Sequence, residues 1–125
     1  MGIPKNALNW FEIPVIDFER AKKFYSAIFS YDMPTHQRGE KMLGFFPMER
    51  GLVGGAIVKA AGYVPSQTGT LVYLNCGEDL TPYVNRIKAA GGNVLLSKTI
   101  ISKEIGYLAL FTDTEGNKLA LHSAG

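Results

Sequence analysis

Two residues able to exchange protons near neutral pH stand at opposite ends of the chain, each in a short alternating stretch. Glu12 lies in NWFEIPV and His122 in NKLALHS. A carboxylate beside an imidazole supports general acid–base work, because each tunes the other's proton affinity. The same pair supplies two donors to a divalent cation, although two ligands alone make a poor site. The plain structural alternative is that they pair with each other or with backbone and close a sheet. Tyr73 and Asn75 in TLVYLNC add a phenol and an amide. Trp10 adds a flat ring that can stack a planar ligand against Tyr73, or simply fill a core.

Other candidates are weaker. Cys76, the single cysteine, alternates with Val72 and Leu74 and reads as a small buried hydrophobe with no adjacent base. His36 sits in the polar stretch THQRGE and is expected to be exposed. Lys98 and Lys103 flank TIIS and read as solvated lysines, with attraction of an anionic ligand as the rival reading. The glycines between Gly51 and Gly55 lack the phosphate-loop pattern, and a turn followed by a strand accounts for them.

These side chains need elements to position them. Phe11, Ile13 and Val15 alternate with Trp10 and Glu12, which predicts a strand over residues 9–15 with two distinct faces. Asp17 is placed to cap a helix running to about Phe29, with Phe18, Ala21, Phe24, Tyr25 and Ile28 as its apolar stripe. An irregular stretch to Glu40 follows, then strands in KMLGFFP and LVGGAIVK around a turn at MERG. AAGYVPSQTG reads as a linker. The order then restarts. TLVYLNC is a strand, and a helix capped by Asp79 or Thr81 ends at Gly91-Gly92. NVLLSK, GYLALFT and NKLALH close the chain as strands. Period-two alternation puts Lys118, Ala120 and His122 on one face, with Gly55, Ile57, Leu71, Tyr73 and Asn75 lining the same cleft.

The two halves rhyme. KMLGFFPMERGLVGGAIV matches IGYLALFTDTEGNKLALH, so that Phe46 meets Phe111, Gly51 meets Gly116 and Ile57 meets His122. A repeat of this length predicts two copies of one βαβββ unit. Unit one covers about residues 6–60, the linker about 61–69 and unit two about 70–124 of a single domain. The fold class is α+β, with a curved, partly open eight-stranded mixed sheet and helices on its outer face.

The repeated units, EIPVIDFERAKKFY, the AAGG after the second helix and the closing DTEGNKLALHS resemble the glyoxalase/bleomycin-resistance/extradiol-dioxygenase superfamily, the vicinal oxygen chelate fold. The resemblance spans nearly the whole chain. It implies a small-molecule ligand in the sheet cleft and a homodimer. It also places the family's metal-ligand positions, which here are Trp10, Gly55, Leu71 and Ala120. None of these side chains holds a divalent metal, so no cofactor is expected. Glu12 and His122 stand two residues beyond vacated positions, as a candidate catalytic pair or an offset metal site.

Charge and hydropathy narrow the classes. The net charge is +2 with no basic block, which argues against nucleic acid. No apolar run reaches the roughly 20 residues of a membrane helix. MGIPKNALNW lacks the profile of a secretory signal, so a cytoplasmic location is expected. The expected function is binding of a small organic molecule without the family's metal. The alternatives are a glyoxalase-type lyase or isomerase using Glu12 and His122, and a drug-sequestering resistance protein.

Overall fold

The computed structural model describes residues 2–125. In the first unit, β1 (Trp10–Pro14) leads through Asp17 into α1 (Phe18–Phe29), followed by β2 (Thr35–Arg38), β3 (Lys41–Phe45) and β4 (Gly54–Lys59). The second unit repeats the order with β5 (Tyr73–Asn75), α2 (Thr81–Ala90), β6 (Asn93–Ser102), β7 (Gly106–Thr112) and β8 (Lys118–Ser123). The strands form two four-stranded mixed sheets, β1-β4-β3-β2 and β5-β8-β7-β6. In each sheet the first strand of the unit runs parallel to its last, and the other pairs are antiparallel. This is the two-unit α+β fold expected, with its eight strands divided between two ladders.

Local chemistry explains the helices. The Asp17 carboxylate accepts from the Arg20 amide at 3.1 Å, satisfying one orphan donor of the first turn of α1. Pro82 opens α2, and Gly91 closes it in the left-handed region at φ 98°. Asp79 accepts from the Thr81 amide at 3.0 Å, although Leu80 is the capping position. The unforeseen strand is β2. Its residues Thr35, His36, Gln37 and Arg38 are all exposed, so no apolar alternation marks it.

One core serves both units. Ile13, Phe24, Tyr25, Ile28, Phe46 and Ile57 of the first pack in one cluster with Leu74, Ile87, Phe111, Leu119 and Leu121 of the second. The helices touch each other through Phe29 and Tyr83, with ring centroids 5.4 Å apart, and through Arg86, which donates to the Ile28 carbonyl at 3.0 Å. A smaller cluster of Leu43, Ala56 and Val58 lies on the opposite face of the first sheet, under Phe45 and Tyr63.

A polar knot in the β7–β8 turn joins the units. The buried Glu115 carboxylate accepts from the Ile16 and Asp17 amides at 2.9 and 2.7 Å and from Arg20 Nε at 2.7 Å. Asp113 accepts the Tyr25 hydroxyl at 2.7 Å, and Asn117 donates to the Pro14 carbonyl at 2.7 Å. Burial alone would raise the Glu115 carboxyl. The Arg20 guanidinium, the two amides and the Thr114 hydroxyl reverse this and hold it below the usual carboxylate range.

Because Glu115 is ionised more readily when folded, its contribution is complete above the unfolded pKa of about 4.3 and fades as pH falls below it. Glu115→Ala leaves two part-buried amides and a guanidinium without their acceptor, so it should cost about 1–3 kcal/mol at neutral pH. Urea melts at fixed protein concentration check this. The gap between wild type and Glu115→Gln should shrink between about pH 5 and pH 3. A gap that is constant with pH would show that the carboxylate's charge contributes nothing.

Candidate functional site

The main cavity, about 840 Å³, lies along the seam where β1 and β5 form the inner edges of the two sheets. Trp10, Phe11, Glu12 and Ile13 line one side, and Leu71, Val72, Tyr73, Leu74 and Asn75 the other. The linker adds Val64, Ser66, Thr68 and Thr70, and the β3–β4 loop adds Pro47 and Val53. Of the candidates named from sequence, Trp10, Glu12, Leu71, Tyr73 and Asn75 border this space, while Ile57, Ala120 and His122 do not.

Ile57 corrects the expected facing of β4. It is fully buried in the core beneath the helices, alongside Ile13, whereas Ala56 and Val58 occupy the opposite face. Gly55 also faces the helix side, where a Cβ would stand 2.5 Å from Phe11 ring atoms. The cause is a slip of one residue. Gly51 and Gly116 are true counterparts, both with positive φ, at 87° and 90°. Beyond them, Phe45 pairs with Ala56, eleven residues on, while Leu110 pairs with Ala120, ten residues on. The first hairpin holds one extra residue after Gly51, and a shift of one inverts every face of the strand that follows. The counterpart of Ala120 is therefore Ala56, which pairs with Glu12.

That revision leaves the metal-ligand positions as Trp10, Ala56, Leu71 and Ala120. An indole, two methyls and an isobutyl group offer no oxygen, sulfur or imidazole donor to a divalent cation. The donor set does not fit a metal of this class.

Glu12 and His122 do not pair. Glu12 Oε1 accepts the Tyr63 hydroxyl at 2.7 Å, and Lys41 Nζ donates to the same hydroxyl at 3.3 Å while lying 5.1 Å from the Tyr63 ring centroid. His122 Nε2 is 2.6 Å from the Ile105 carbonyl oxygen in the β6–β7 turn. A carbonyl only accepts, so Nε2 carries a proton there. The two groups belong to different sheets, each engaged on its own side. Sequence expected both to face one cleft, but only Glu12 borders it, because residue order had no means of placing the two sheets relative to each other.

The remaining polar groups are already engaged or open. The Asn75 side chain accepts from the Gly77 amide at 2.8 Å, turning the chain toward α2. Tyr73 is half exposed, and its hydroxyl has no protein partner among the described residues. Trp10 leans edge-on against Phe45 at 6.1 Å with 39% of its surface exposed, so part of its ring is open. Cys76 is buried, and burial raises its thiol to about 12, which makes it inert as a nucleophile. Lys98 is not a free mouth lysine: it pairs with Asp79 at 3.0 Å and covers the Tyr107 ring at 4.7 Å. Val64, Ser66, Thr68 and Thr70 went unrecognised as lining, because a Gly/Pro/Ser-rich linker carries no periodicity to orient its side chains.

Two four-stranded sheets from tandem βαβββ units, with a ligand-sized cleft between them, define a glyoxalase-like fold. The description "Glyoxalase/Bleomycin resistance protein/Dioxygenase superfamily" matches residues 7–121, and the chain belongs to that family. It is 29% identical over 124 residues to a "Glyoxylase-like domain-containing protein" of Didymella fabae, covering 91% of each chain. Among solved structures it is similar to a glyoxalase/bleomycin resistance protein from Albidiferax ferrireducens T118, with a TM-score of 0.72 at 18% identity over 93% of this chain and 97% of that one. It is also similar to TnmS3, an antibiotic binding protein from Streptomyces sp. CB03234, with a TM-score of 0.68 at 20% identity over 99% of this chain and 100% of that one.

If Glu12 and His122 act separately, their substitutions are energetically independent. The stability changes of Glu12→Gln and His122→Ala should add to within about 0.5 kcal/mol in the double variant. A coupling above about 1 kcal/mol in the same urea titrations would place the pair in contact.

Proposed function

We propose that this protein binds a small, ring-bearing organic molecule in the seam cleft and does so without the family's metal. The observation that carries this reading is the lining itself: a cavity of about 840 Å³ walled by Trp10, Phe11, Phe29, Phe46, Leu71 and Tyr73. Ligand sites are mostly apolar concavities of about 300–1,000 Å³ with a few oriented polar groups. Trp10 and Tyr73 present open aromatic surface from opposite walls, which suits a flat ring. The likeness to an antibiotic binding protein supports sequestration as the biological form of such binding. Glu12 and His122 are engaged by Tyr63 and by the Ile105 carbonyl, so no observation favours them as a paired acid and base.

Trp10 is the only tryptophan, so its fluorescence reports directly on the cleft. A panel of planar aromatic compounds should include saturable quenchers, and Tyr73→Ala should weaken them about 3–10-fold. No saturable change across the panel would sink the reading. Metal analysis of gently purified protein should find less than stoichiometric zinc, nickel, iron and manganese, and a full equivalent of any of them would overturn the metal-free part.

We further propose a homodimer that covers β6, and a cytoplasmic location consistent with one buried free thiol. The outer edges of the two sheets differ. β2 carries only polar and charged side chains, whereas β6 exposes Leu95, Leu96, Ile100 and Ile101 beside unpaired backbone groups. A second copy of the same strand, related by a two-fold axis, satisfies both. Light scattering at micromolar concentration should give twice the 13.7 kDa chain mass, and Ile100→Lys should halve it. A monomeric wild type would rule the dimer out.

A further inference from the structure

The cleft is not uniform along its length, and its two ends differ in chemistry. At one end, Trp10 pairs with Gly54 across β1 and β4, and Phe11, Phe29 and Phe46 stack close by, with centroids 5.3 Å (Phe11–Phe46) and 5.9 Å (Phe29–Phe46) apart. The other end is built where the linker crosses the start of β8. There Asn117 donates to the Pro14 carbonyl and accepts the Ser66 amide at 3.1 Å, while the Lys118 amide donates to the Ser66 carbonyl at 3.3 Å. Ser66 Oγ and Thr68 Oγ1 lie 2.9 Å apart, so their hydroxyls gather at this end.

Among the described residues, Lys118 is the only lysine or arginine that lines the cleft. It is half-buried, and its ammonium has no hydrogen-bond or ion-pair partner among the described residues. The lysines at Lys41 and Lys98, by contrast, are each engaged by a named side chain. The neighbouring polar groups do not compete for Lys118. The Asn117 amide is spent on Pro14, Asp113 and Ser66. Glu12, the one carboxylate in the lining, is held by the Tyr63 hydroxyl. A half-buried lysine that lines the same cavity as the Ser66 and Thr68 hydroxyls supplies the cation and donors that an anion needs.

We infer that the ligand is an aromatic carboxylate, its ring against Trp10 and the phenylalanines and its anion on Lys118 with Ser66 and Thr68. This rests on the seam cleft being the ligand site and adds the chemical class. The Glu12 carboxylate, between the two ends, disfavours an anion anywhere but beside Lys118, which sets the orientation.

Two matched probes test it, 2-naphthoate and its neutral analogue 2-naphthamide, each titrated by calorimetry and by Trp10 fluorescence. The acid should bind about tenfold more tightly than the amide, and salt should weaken the acid alone. Lys118→Gln should bring the acid down to the affinity of the amide while changing the amide by less than about twofold, and Lys118→Arg should keep the preference. Equal affinities in wild type, or a Lys118→Gln loss shared equally by both probes, would overturn the carboxylate class and leave the cleft reading standing. Binding of neither probe would remove both. Should Lys118→Gln fail to fold, the wild-type pair and its salt dependence decide the matter alone.

Discussion

The buried Glu115 carboxylate is the contact on which the arrangement of the two units turns. It sits in unit two but accepts from the backbone of Ile16 and Asp17 and from Arg20, all in unit one. Asp113 and Asn117, from the same turn, reach Tyr25 and Pro14. A single turn thereby grips the end of β1 and the start of α1. Apolar burial in the shared core supplies most of the drive to associate, but it is non-directional. The hydrogen bonds to Glu115, Asp113 and Asn117 have fixed geometry, and they set how the sheets meet. They also tether Ser66, so the linker wall of the cleft depends on the same knot.

Repetition of the unit gave the fold, and departures from repetition gave the cleft. Unit one has no counterpart to the knot in its β3–β4 turn, which carries one more residue and contributes Pro47 and Val53 to the lining instead. Its concave face is filled by Leu43, Ala56, Val58, Phe45 and Tyr63. Tyr63 comes from the linker and is fastened there by Glu12. The matching face of the second sheet keeps Tyr73 open to solvent. Space for a ligand is therefore displaced from the centre of either sheet to the seam between them.

The same asymmetry governs chemistry. The positions that the family resemblance assigns to metal ligands carry Trp10, Ala56, Leu71 and Ala120, and Ala56 and Ala120 are wholly buried. The cleft offers shape, aromatic surface and a few fixed polar groups. Glu12 has become a tether for the linker, and His122 a brace for the β6–β7 turn.

Much of this was legible from residue order. Alternation in NWFEIPV and TLVYLNC separated core from cleft correctly, because each of these strands buries one face and exposes the other. Asp17 and Gly91 marked helix ends through local bonding that needs no partner element. Alternation failed at GGAIVK, where both faces are buried and apolar residues carry no sign of direction, and at THQR, where neither face is. Sequence marked DTEGNKLALHS through its family resemblance but not as the lock between units, since the partners of Glu115 and Asn117 lie about a hundred residues away. The chain alone determined the units, their caps and the inner faces of most strands, all of which depend on neighbours in sequence. Only tertiary structure decided that Glu12 and His122 part company and that the linker walls the cleft, because both depend on how two separately encoded sheets are set against each other, and that Ile57 turns inward, because the hairpin register that fixes its face is set by strand pairing.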